Sequence, residues 1–372
     1  MKVLMFGPGK GNNIALFLNY FDENSEHHQL TYGYFTKQAH FNLRSTYRKV
    51  HFFPAYSIYQ LIKGLRADVD LIWIHNWTPL PLLILIVLFA KRGSVLNLNV
   101  WSETLPKLWK TNHWKAVIYR SILKKVDVVQ CNWYGTLDLV NEIQGIDPVL
   151  LPWGLDDENF NKHSPKMMGQ ETTAFVASLD RNKIKFFFPK SISRSNRHDI
   201  VIDASKNLLA SGYDQFQVYI WPGNHIDKRL MNELQERIIN QGLGSYVIIV
   251  DHLFVKNYEM KYIWEHMDCG LNVIEADQLS ASFIEPQLYK KELIASNISA
   301  YRHYEKKYGL QLDLIQPNVD EVARRMVEIL DGRRTQDLEL RLRKKQVEVH
   351  YCFSKCLDHS LNYLVNQGKG AV

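Results

Sequence analysis

Two cationic side chains in one loop, Lys190 and Arg197, are the residues best placed to act on a phosphate group. The loop follows a predicted strand at 184–188 and leads into a predicted helix at 199–211. At the start of a helix, unpaired backbone N–H groups and the helix dipole attract anions. Two cations beside such a helix can stabilise the negative charge of a phosphate group. A solvated basic loop is the alternative interpretation.

A second segment pairs two carboxylates, Asp277 and Glu285, after a predicted strand at 269–273. Three small residues lie between them: Ser280, Ala281 and Ser282. A strand end followed by small residues and a helix start presents backbone N–H groups to a phosphate. The carboxylates of Glu285 and Asp277 could accept hydrogen bonds from hydroxyl groups of a ligand. The alternative is one acid at a helix N-terminus and an unrelated second acid.

Glycine-containing turns could bring the backbone close to a ligand. The first predicted strand ends in a turn with Gly9 and Gly11, and the strand at 216–221 ends in a turn with Gly223. A dinucleotide-binding fingerprint would need a third glycine at position 12, which is Asn12. A P-loop would need Lys followed by Ser or Thr after the glycines. These turns therefore predict donor contacts or simple tight turns, and no dinucleotide cofactor.

Short apolar strands alternate with helical segments along the chain, which is typical of parallel α/β sheets. The first series of predicted strands is 3–6, 29–35, 71–75, 95–100, 126–131 and 149–151, with helices at 12–20, 79–90 and 107–125. The second series of strands is 184–188, 216–221, 247–250, 269–273 and 293–295, with helices at 199–211 and 319–331 and a mostly helical end at 334–366. The pattern predicts two Rossmann-like domains joined near 152–170.

The junction between the two series, Pro-Trp-Gly-Leu-Asp-Asp-Glu-Asn-Phe at 152–160, resembles a segment of retaining GT-B glycosyltransferases of the family-4 type. The first domain of that family commonly ends in Pro-Asn-Gly-Val-Asp…Phe. The stretch at 187–204 is similar to the family's Gly-Arg…Lys-Gly-x-x-Leu-Ile-x-Ala, with Lys190 at the arginine and Arg197 at the lysine. The segment at 277–285 keeps the spacing of the family's two glutamates, although the first acid is an aspartate.

The resemblance implies an α/β fold of the GT-B type, with two Rossmann-like domains that face a cleft. It implies an acceptor domain at 1–155, which a C-terminal helix at 350–368 rejoins, and a nucleotide-sugar donor domain at 156–349. The implied activity is hexosyl transfer from a nucleoside-diphosphate sugar, with a UDP-sugar favoured, to a glycan or lipid-linked acceptor. Configuration would be retained, and the pathway would be synthesis of cell-surface polysaccharide or glycoconjugate.

In this interpretation the nucleotide sugar is a substrate, and neither a cofactor nor a metal is required. Lys190, Arg197 and Asp277 would be catalytic, while the donor would also contact Ser280, Ala281, Ser282, Glu285 and the three turn glycines. Departures from the family pattern at Trp101, Asp277 and Ser280 leave another possibility open, a non-catalytic partner subunit of the same fold. An inverting transferase and a sugar-nucleotide epimerase are further alternatives.

The acceptor side has weaker candidates. Family members often carry a histidine after the fourth strand of the first domain, where this chain has Trp101. Glu103 or His75 could act on the acceptor instead. A histidine at a strand end is more often a structural residue, so the pattern alone does not separate the two roles of His75.

The positive charge of the chain lies in its first half. Residues 1–150 hold sixteen Lys and Arg against ten Asp and Glu, whereas residues 151–372 hold twenty-nine of each. The predicted helix at 107–125 mixes basic and interfacial aromatic residues, including Lys107, Trp109, Lys110, Trp114 and Lys115. Such a helix suits an anionic membrane surface, although an ordinary amphipathic helix packed on the sheet is equally consistent. No nucleic-acid-binding signature is found.

Four scattered cysteines and the N-terminal sequence bear on location. Cys131, Cys269, Cys352 and Cys356 form no disulfide framework and show no zinc-ligand spacing. The N-terminus has no signal peptide, and the longest apolar run, 82–90, is too short to cross a bilayer. We expect a cytoplasmic protein, peripheral on the inner face of the membrane if the helix at 107–125 docks there.

Overall fold

In the computed structural model every strand pair of the described residues is parallel. The structure describes residues 1–7, 12–34, 47–55, 57–75, 79–91, 93–100, 111, 114–160, 169–222, 226–250 and 257–369. The chain divides into two compact units. Unit 1 is Met1–Gly154 with Phe353–Val372, and unit 2 is Leu155–Cys352.

Unit 1 is built on a seven-stranded sheet with the order β3-β2-β1-β4-β5-β6-β7. Its strands are β1 (Lys2–Gly7), β2 (Gln29–Tyr34), β3 (His51–Pro54), β4 (Leu71–His75), β5 (Val95–Val100), β6 (Val128–Cys131) and β7 (Pro148–Leu150). Its helices are α1 (Asn12–Glu23), α2 (Ile58–Leu65), α3 (Leu80–Phe89), α4 (Trp114–Leu123), α5 (Tyr134–Asn141) and, at the end of the chain, α14 (Phe353–Lys369).

The central strands of unit 1 are covered on both faces. All residues of β4 and β5 are buried, including Asn97 and Asn99 of β5. Alternate side chains then enter two separate cores. On β4, Trp73 belongs to the core with α1, while Ile72 and Ile74 belong to the core with α2 and α3.

The last helix rejoins the first unit, as the resemblance implied. Leu357, Leu361 and Leu364 of α14 are spaced to form one helical stripe, and they share a buried core with Phe17 and Trp73. Burial of these three side chains ties the end of the chain to the sheet that its beginning forms.

Unit 2 is built on a five-stranded sheet with the order β10-β9-β8-β11-β12. Its strands are β8 (Ile184–Phe188), β9 (Phe216–Ile220), β10 (Val247–Ile249), β11 (Cys269–Asn272) and β12 (Glu292–Ala295). Its helices are α6 (Gln170–Ala177), α7 (His198–Ala210), α8 (Lys228–Asn240), α9 (Asn257–His266), α10 (Ala281–Leu288), α11 (Ser299–Tyr308), α12 (Val319–Leu330) and α13 (Asp337–His350).

The two ends of unit 2 are neighbours. The backbone N–H of Leu155 donates to the carbonyl of Tyr351 at 2.6 Å, and Leu155 forms a parallel bridge with Cys352. The Cys352 thiol also donates to a carboxylate oxygen of Asp157 at 2.9 Å. Unit 2 therefore begins and ends at the same place.

The predicted strands agree with the observed ones within one or two residues wherever both are described. Several observed elements were not predicted from the sequence: β3, α2 and α5 in unit 1, and α6, α8, α9 and α11 in unit 2. Of the helix predicted at 107–125, the structure describes α4, and residues 107–110 lie outside the described residues. No helix in the part of the chain that the structure describes is long and apolar enough to cross a membrane.

Candidate functional site

The strand order of unit 2 reverses between β8 and β11. Strands β9 and β10 extend the sheet on one side of β8, and β11 and β12 extend it on the other. In open parallel sheets, ligands bind outside the carboxyl ends of the strands at such a switch point. The loops that follow β8 and β11 carry Lys190 and Asp277, and the fold brings these two residues together.

Lys190 connects the two loops. Its ammonium donates to Oδ1 of Asp277 at 3.1 Å and to the hydroxyl of Ser280 at 2.8 Å. Both partners of the ion pair are nearly buried, with 12% of the Lys190 side chain and 8% of the Asp277 side chain exposed. Because the charges are shielded from water, this pair is electrostatically stronger than a surface salt bridge. The structure therefore brings three of the predicted site residues, Lys190, Asp277 and Ser280, together.

The second carboxylate oxygen of Asp277 is also fully engaged. It accepts hydrogen bonds from the backbone N–H of Ser280 at 3.2 Å, from the Ser280 hydroxyl and from the Tyr301 hydroxyl. Burial raises the pKa of Asp277, but the charge of Lys190 and the hydrogen bonds from Ser280 and Tyr301 outweigh it, so the pKa lies below its ordinary value. Asp277 is therefore an ionised acceptor that holds Lys190 and Ser280 in place.

The backbone at 279–281 turns sharply into α10. Leu279 adopts a left-handed conformation with φ of 56°, which costs energy for a residue with a branched side chain. Ser280 is the N-cap of α10, and its hydroxyl lies 2.9 Å from that of Ser282. Ala281 is the first residue of the helix. The unpaired N–H groups of this first turn lie next to the Lys190 ammonium, which makes the turn attractive to an anion.

Glu285 lies one turn into α10 and is only 6% exposed. One of its carboxylate oxygens accepts a hydrogen bond from the indole N–H of Trp264 at 2.8 Å. Burial raises the pKa of Glu285 to about 7, although the hydrogen bond from Trp264 opposes the shift. The carboxyl group is therefore poised to change its charge near neutral pH.

Arg197 does not contact Lys190 or Asp277. Its guanidinium donates to both carboxylate oxygens of Asp199, at 3.1 and 2.9 Å, and to Glu275 at 3.1 Å. The side chain lines a pocket of about 320 Å³ between the start of α7 and α8. In this structure the Arg197 guanidinium is thus engaged in ion pairs with Asp199 and Glu275 and is not part of the cluster of Lys190, Asp277 and Ser280. Its predicted role in catalysis stays a prediction.

The loop before α7 is fixed by an internal amide. The buried Asn196 side chain donates to the backbone carbonyl of Ser191 at 2.8 Å and to the Ser191 hydroxyl at 3.1 Å. The ring of His198 packs against Phe188 with a centroid distance of 4.6 Å, and burial lowers the pKa of His198 to about 4. These contacts hold the loop that carries Lys190 against the end of β8.

The unit 1 candidates are only partly described. His75 ends β4, is fully buried, and burial lowers its pKa to about 3, so the ring is neutral at physiological pH. Its neighbour in register on β5 is Asn99, whose buried amide has no hydrogen-bond partner among the described residues. Seven of the residues predicted for the donor, acceptor and membrane sites lie outside the described residues: Gly9, Gly11, Glu103, Lys107, Trp109, Lys110 and Gly223.

Three polar residues of the site were missed from the sequence. Tyr301 and Trp264 contact the two predicted carboxylates, and Asn196 holds the predicted cationic loop. Tyr301 lies flat on Phe283 with a centroid distance of 3.8 Å, which brings α11 against α10. No local motif marks these positions, because each acts on a segment that is distant in sequence or through a loop of irregular shape.

The residues of this site offer hydrogen-bond donors and two carboxylates. No group of three or more His, Cys, Asp or Glu residues that could hold a metal ion occurs in the described ranges. One ammonium, two serine hydroxyls and the first turn of a helix can instead bind a phosphate group, and a buried carboxylate beside them can accept hydroxyl groups.

Comparisons with known proteins agree with this architecture. The sequence matches no protein-family model and no curated protein. The fold resembles that of HepE from Anabaena in a complex with UDP and glucose, with 14% identity over 98% of this chain and 100% of the other and a TM-score of 0.74. A glycosyltransferase from Rickettsia africae has 13% identity over 98% of both chains and a TM-score of 0.74.

A third similar structure is sucrose-phosphate synthase from Thermosynechococcus elongatus, with 11% identity over 100% of both chains and a TM-score of 0.74. These matches extend over both units. They confirm the predicted fold class: the chain has the α/β GT-B fold, with two Rossmann-like sheets.

Proposed function

We propose that the protein is a glycosyltransferase that binds a nucleoside-diphosphate sugar, with a UDP-sugar favoured, at the switch point of unit 2. The observation that carries the proposal is the group formed by Lys190, Asp277 and Ser280 outside the carboxyl ends of β8 and β11. HepE, which is similar in fold, was crystallised with UDP and with UDP-glucose. The proposal assigns the same class of donor to this chain.

The diphosphate would bind between Lys190 and the first turn of α10. An ammonium has three N–H donors, and the contacts with Asp277 and Ser280 use two of them. The third can donate to a phosphate oxygen. Since Asp277 already fixes the position of the ammonium, little side-chain entropy is lost when the phosphate binds.

The nucleoside end of the donor would extend toward Glu285. When both ribose hydroxyls donate to the carboxylate, they stabilise its ionised form and lower its raised pKa. Asp277 would accept a hydroxyl of the transferred sugar at Oδ1, whose one protein donor among the described residues is Lys190. Arg197 would exchange one of its carboxylate partners for a phosphate oxygen when the donor arrives.

In the transfer, the bond between the anomeric carbon and the diphosphate oxygen breaks, and a bond from the acceptor hydroxyl oxygen to the same carbon forms. The proton of the acceptor hydroxyl leaves with the diphosphate, and no electrons are exchanged with a cofactor. Lys190 and the N-terminus of α10 stabilise the charge that develops on the leaving group. We propose that configuration is retained, as in the family that the sequence resembles.

The acceptor is proposed to be a glycan or a lipid-linked saccharide in cell-surface polysaccharide or glycoconjugate synthesis. Three neighbouring helices of unit 1, α2, α3 and α4, expose large apolar side chains: Ile58, Tyr59, Leu88, Phe89, Trp114 and Val117. Lys115 lies over the ring of Trp114 at 5.5 Å. Exposed apolar and aromatic groups beside basic residues suit the surface of an anionic membrane, so the protein would work at the inner face of the membrane as a peripheral enzyme.

The donor site is tested by thermal shift with UDP, UDP-glucose, UDP-N-acetylglucosamine and GDP-mannose, followed by assays of sugar transfer. We expect a UDP-sugar to raise the melting temperature. Lys190→Ala should lose this shift and lower turnover on the order of 10²-fold, as for loss of one transition-state contact. Lys206→Ala is the matched control, because Lys206 is an exposed lysine of α7.

Near-wild-type turnover in Lys190→Ala would refute the assignment of the site. Absence of both a shift and donor hydrolysis with every nucleotide sugar would favour the non-catalytic partner subunit instead. The anomeric configuration of the product separates a retaining from an inverting transferase.

Membrane docking needs a separate test. Flotation with vesicles that contain phosphatidylglycerol is compared between the wild type and a variant with Leu88→Ser and Trp114→Ala. We expect the variant to lose most of its vesicle binding, because both side chains are exposed and apolar. Ile239→Ser is the control, since Ile239 is an exposed apolar residue of unit 2. Equal flotation of the wild type and the double variant would refute membrane docking through the exposed apolar residues of α2, α3 and α4.

A further inference from the structure

We propose that unit 2 has a second anion-binding site, an arginine-lined pocket that binds a small phosphorylated compound. The pocket has a volume of about 620 Å³ and lies between the loop before α12, the end of α12 and the start of α13. Four arginines line it: Arg325, Arg333, Arg334 and Arg343. We call this site the arginine pocket.

The charge of the arginine pocket favours a dianion. Its lining contains four guanidinium groups and two carboxylates, those of Asp313 and Glu339. Residues 151–372 as a whole carry equal numbers of positive and negative side chains, so the excess in the pocket is local. A phosphate monoester at neutral pH carries nearly two negative charges, and arginine binds phosphate oxygens through paired N–H donors.

Two of the arginines form a rigid wall. Arg343 is buried, and its guanidinium is held by Glu339 at 3.1 Å and by the carbonyl of Gln311. Arg325 is 10% exposed and pairs with Asp313 at 3.0 Å and with Glu328 at 2.8 Å. The Nε–H of Arg325 nevertheless has no hydrogen-bond partner in the part of the chain that the structure describes. A buried donor without an acceptor is costly, so the protein partners of Arg325 leave it incompletely satisfied.

The other two arginines form the exposed rim of the pocket. Arg333 and Arg334 follow Gly332, which lies two residues after the end of α12, and both are exposed to solvent. Within the described residues, their side chains make no ion pair or hydrogen bond. They can therefore turn toward a ligand at little enthalpic cost, whereas the two wall arginines would have to give up protein partners.

The arginine pocket is separate from the donor site. Thr335, in its lining, donates through its backbone N–H and its hydroxyl to Glu292, in both cases at 2.7 Å. Glu292 is the first residue of β12, while the donor group follows the carboxyl ends of β8 and β11. No residue lines both the arginine pocket and the pocket that contains Arg197.

The size of the arginine pocket sets the class of ligand. Its volume lies within the range of about 300–1,000 Å³ that small-molecule sites occupy, which is far more than one phosphate ion fills. Leu338 and Leu342 add apolar surface beside the arginines. A phosphate ester with a sugar-sized body fits these features, and a free phosphate ion would use only part of them.

The test is titration calorimetry of the full chain with ribose 5-phosphate, inorganic phosphate and ribose at low ionic strength. We expect ribose 5-phosphate to bind at least tenfold more tightly than inorganic phosphate, and ribose not to bind. The variant Arg333→Gln with Arg334→Gln should weaken binding of ribose 5-phosphate at least tenfold. The matched control is Lys344→Gln with Lys345→Gln, which removes two neighbouring charges of α13 outside the pocket lining and should change the affinity less than twofold.

The same titration is repeated on Lys190→Ala to separate this site from the donor site. Unchanged binding of ribose 5-phosphate in Lys190→Ala supports the arginine pocket, whatever becomes of the proposed transferase activity. Loss of binding in that variant would place the ligand in the donor site and overturn the inference. Equal affinities of the wild type and the Arg333/Arg334 variant would overturn it as well, provided that their melting temperatures without ligand agree.

Discussion

Replacement of Glu285 by glutamine should change how the stability of unit 2 depends on pH. Glu285 is buried inside unit 2 and accepts a hydrogen bond from Trp264. Glutamine keeps an oxygen that can accept this hydrogen bond and removes the titrating group. The variant therefore isolates the cost of holding an ionised carboxylate in a buried position.

The size of the effect follows from the pKa of Glu285, which burial raises from 4.5 to about 7. A carboxyl group whose pKa is raised by folding favours the folded state at pH values below 4.5, and this contribution is lost as the pH rises through about 7. One pKa unit corresponds to about 1.4 kcal/mol, so between pH 5 and pH 8 the wild type should lose about 2.5 kcal/mol relative to Glu285→Gln.

The assay is urea-dependent amide hydrogen exchange of α10 and β11, which reports the opening of unit 2 by itself. Wild type and Glu285→Gln are compared at pH 5, 6, 7 and 8 after correction for the intrinsic exchange rate. Glu236→Gln on α8 serves as the control, because Glu236 is exposed. Parallel pH curves for the wild type and Glu285→Gln would show that the buried carboxyl group does not titrate as inferred.

The remaining predictions concern the same site. If ribose hydroxyls bind the Glu285 carboxylate, UDP binding at pH 6.5 should release part of a proton, so its calorimetric enthalpy should differ between buffers of different ionisation enthalpy; equal enthalpies would contradict this contact. Tyr301→Phe keeps the stacking on Phe283 and removes one hydrogen bond to Asp277, so kcat/KM for transfer should fall by about tenfold. An unchanged kcat/KM would mean that Asp277 holds Lys190 without this hydroxyl. Gly270→Ala places a methyl group 2.7 Å from Pro286 of α10, which should destabilise unit 2 by about 1–3 kcal/mol, whereas Gly244→Ala, which meets open space, should not. Transfer activity should persist in excess EDTA, because Lys190 and the start of α10 supply the positive charge, and its loss would point to a divalent cation.

The fold was largely predictable because its strands are strongly apolar and separated by helical patterns. β4, β5 and β8 were predicted with the bounds that the structure has. β3 was missed because its four residues, His51–Pro54, include a histidine and a proline and lie at the edge of the sheet. α8 was missed although its stripe of Met231, Leu234 and Ile238 has helical spacing.

The candidate site was predictable in part. The resemblance assigned Lys190, Asp277 and Ser280 to one donor site. Their meeting in the structure follows from the parallel sheet, which places the loops after β8 and β11 at one edge. The partners of Arg197 were not expected, since an arginine at a helix start can turn either to the ligand side or to the nearby acids Asp199 and Glu275. Trp264 and Tyr301 reach the carboxylates from α9 and α11, and such contacts depend on how helices pack rather than on local sequence.

The adjacent ends of unit 2 make it an insertion in the chain. Leu155 and Cys352 form a backbone bridge with one another. The polypeptide therefore leaves unit 1 and returns to it through two adjacent backbone segments. A segment whose termini already touch can be excised, duplicated or replaced with little change in chain geometry. Unit 2, at 155–352, is thus a natural cassette, and the corresponding unit of another GT-B protein could be grafted at the same two junctions. If unit 2 binds the donor as proposed, such a graft would change the sugar that is transferred.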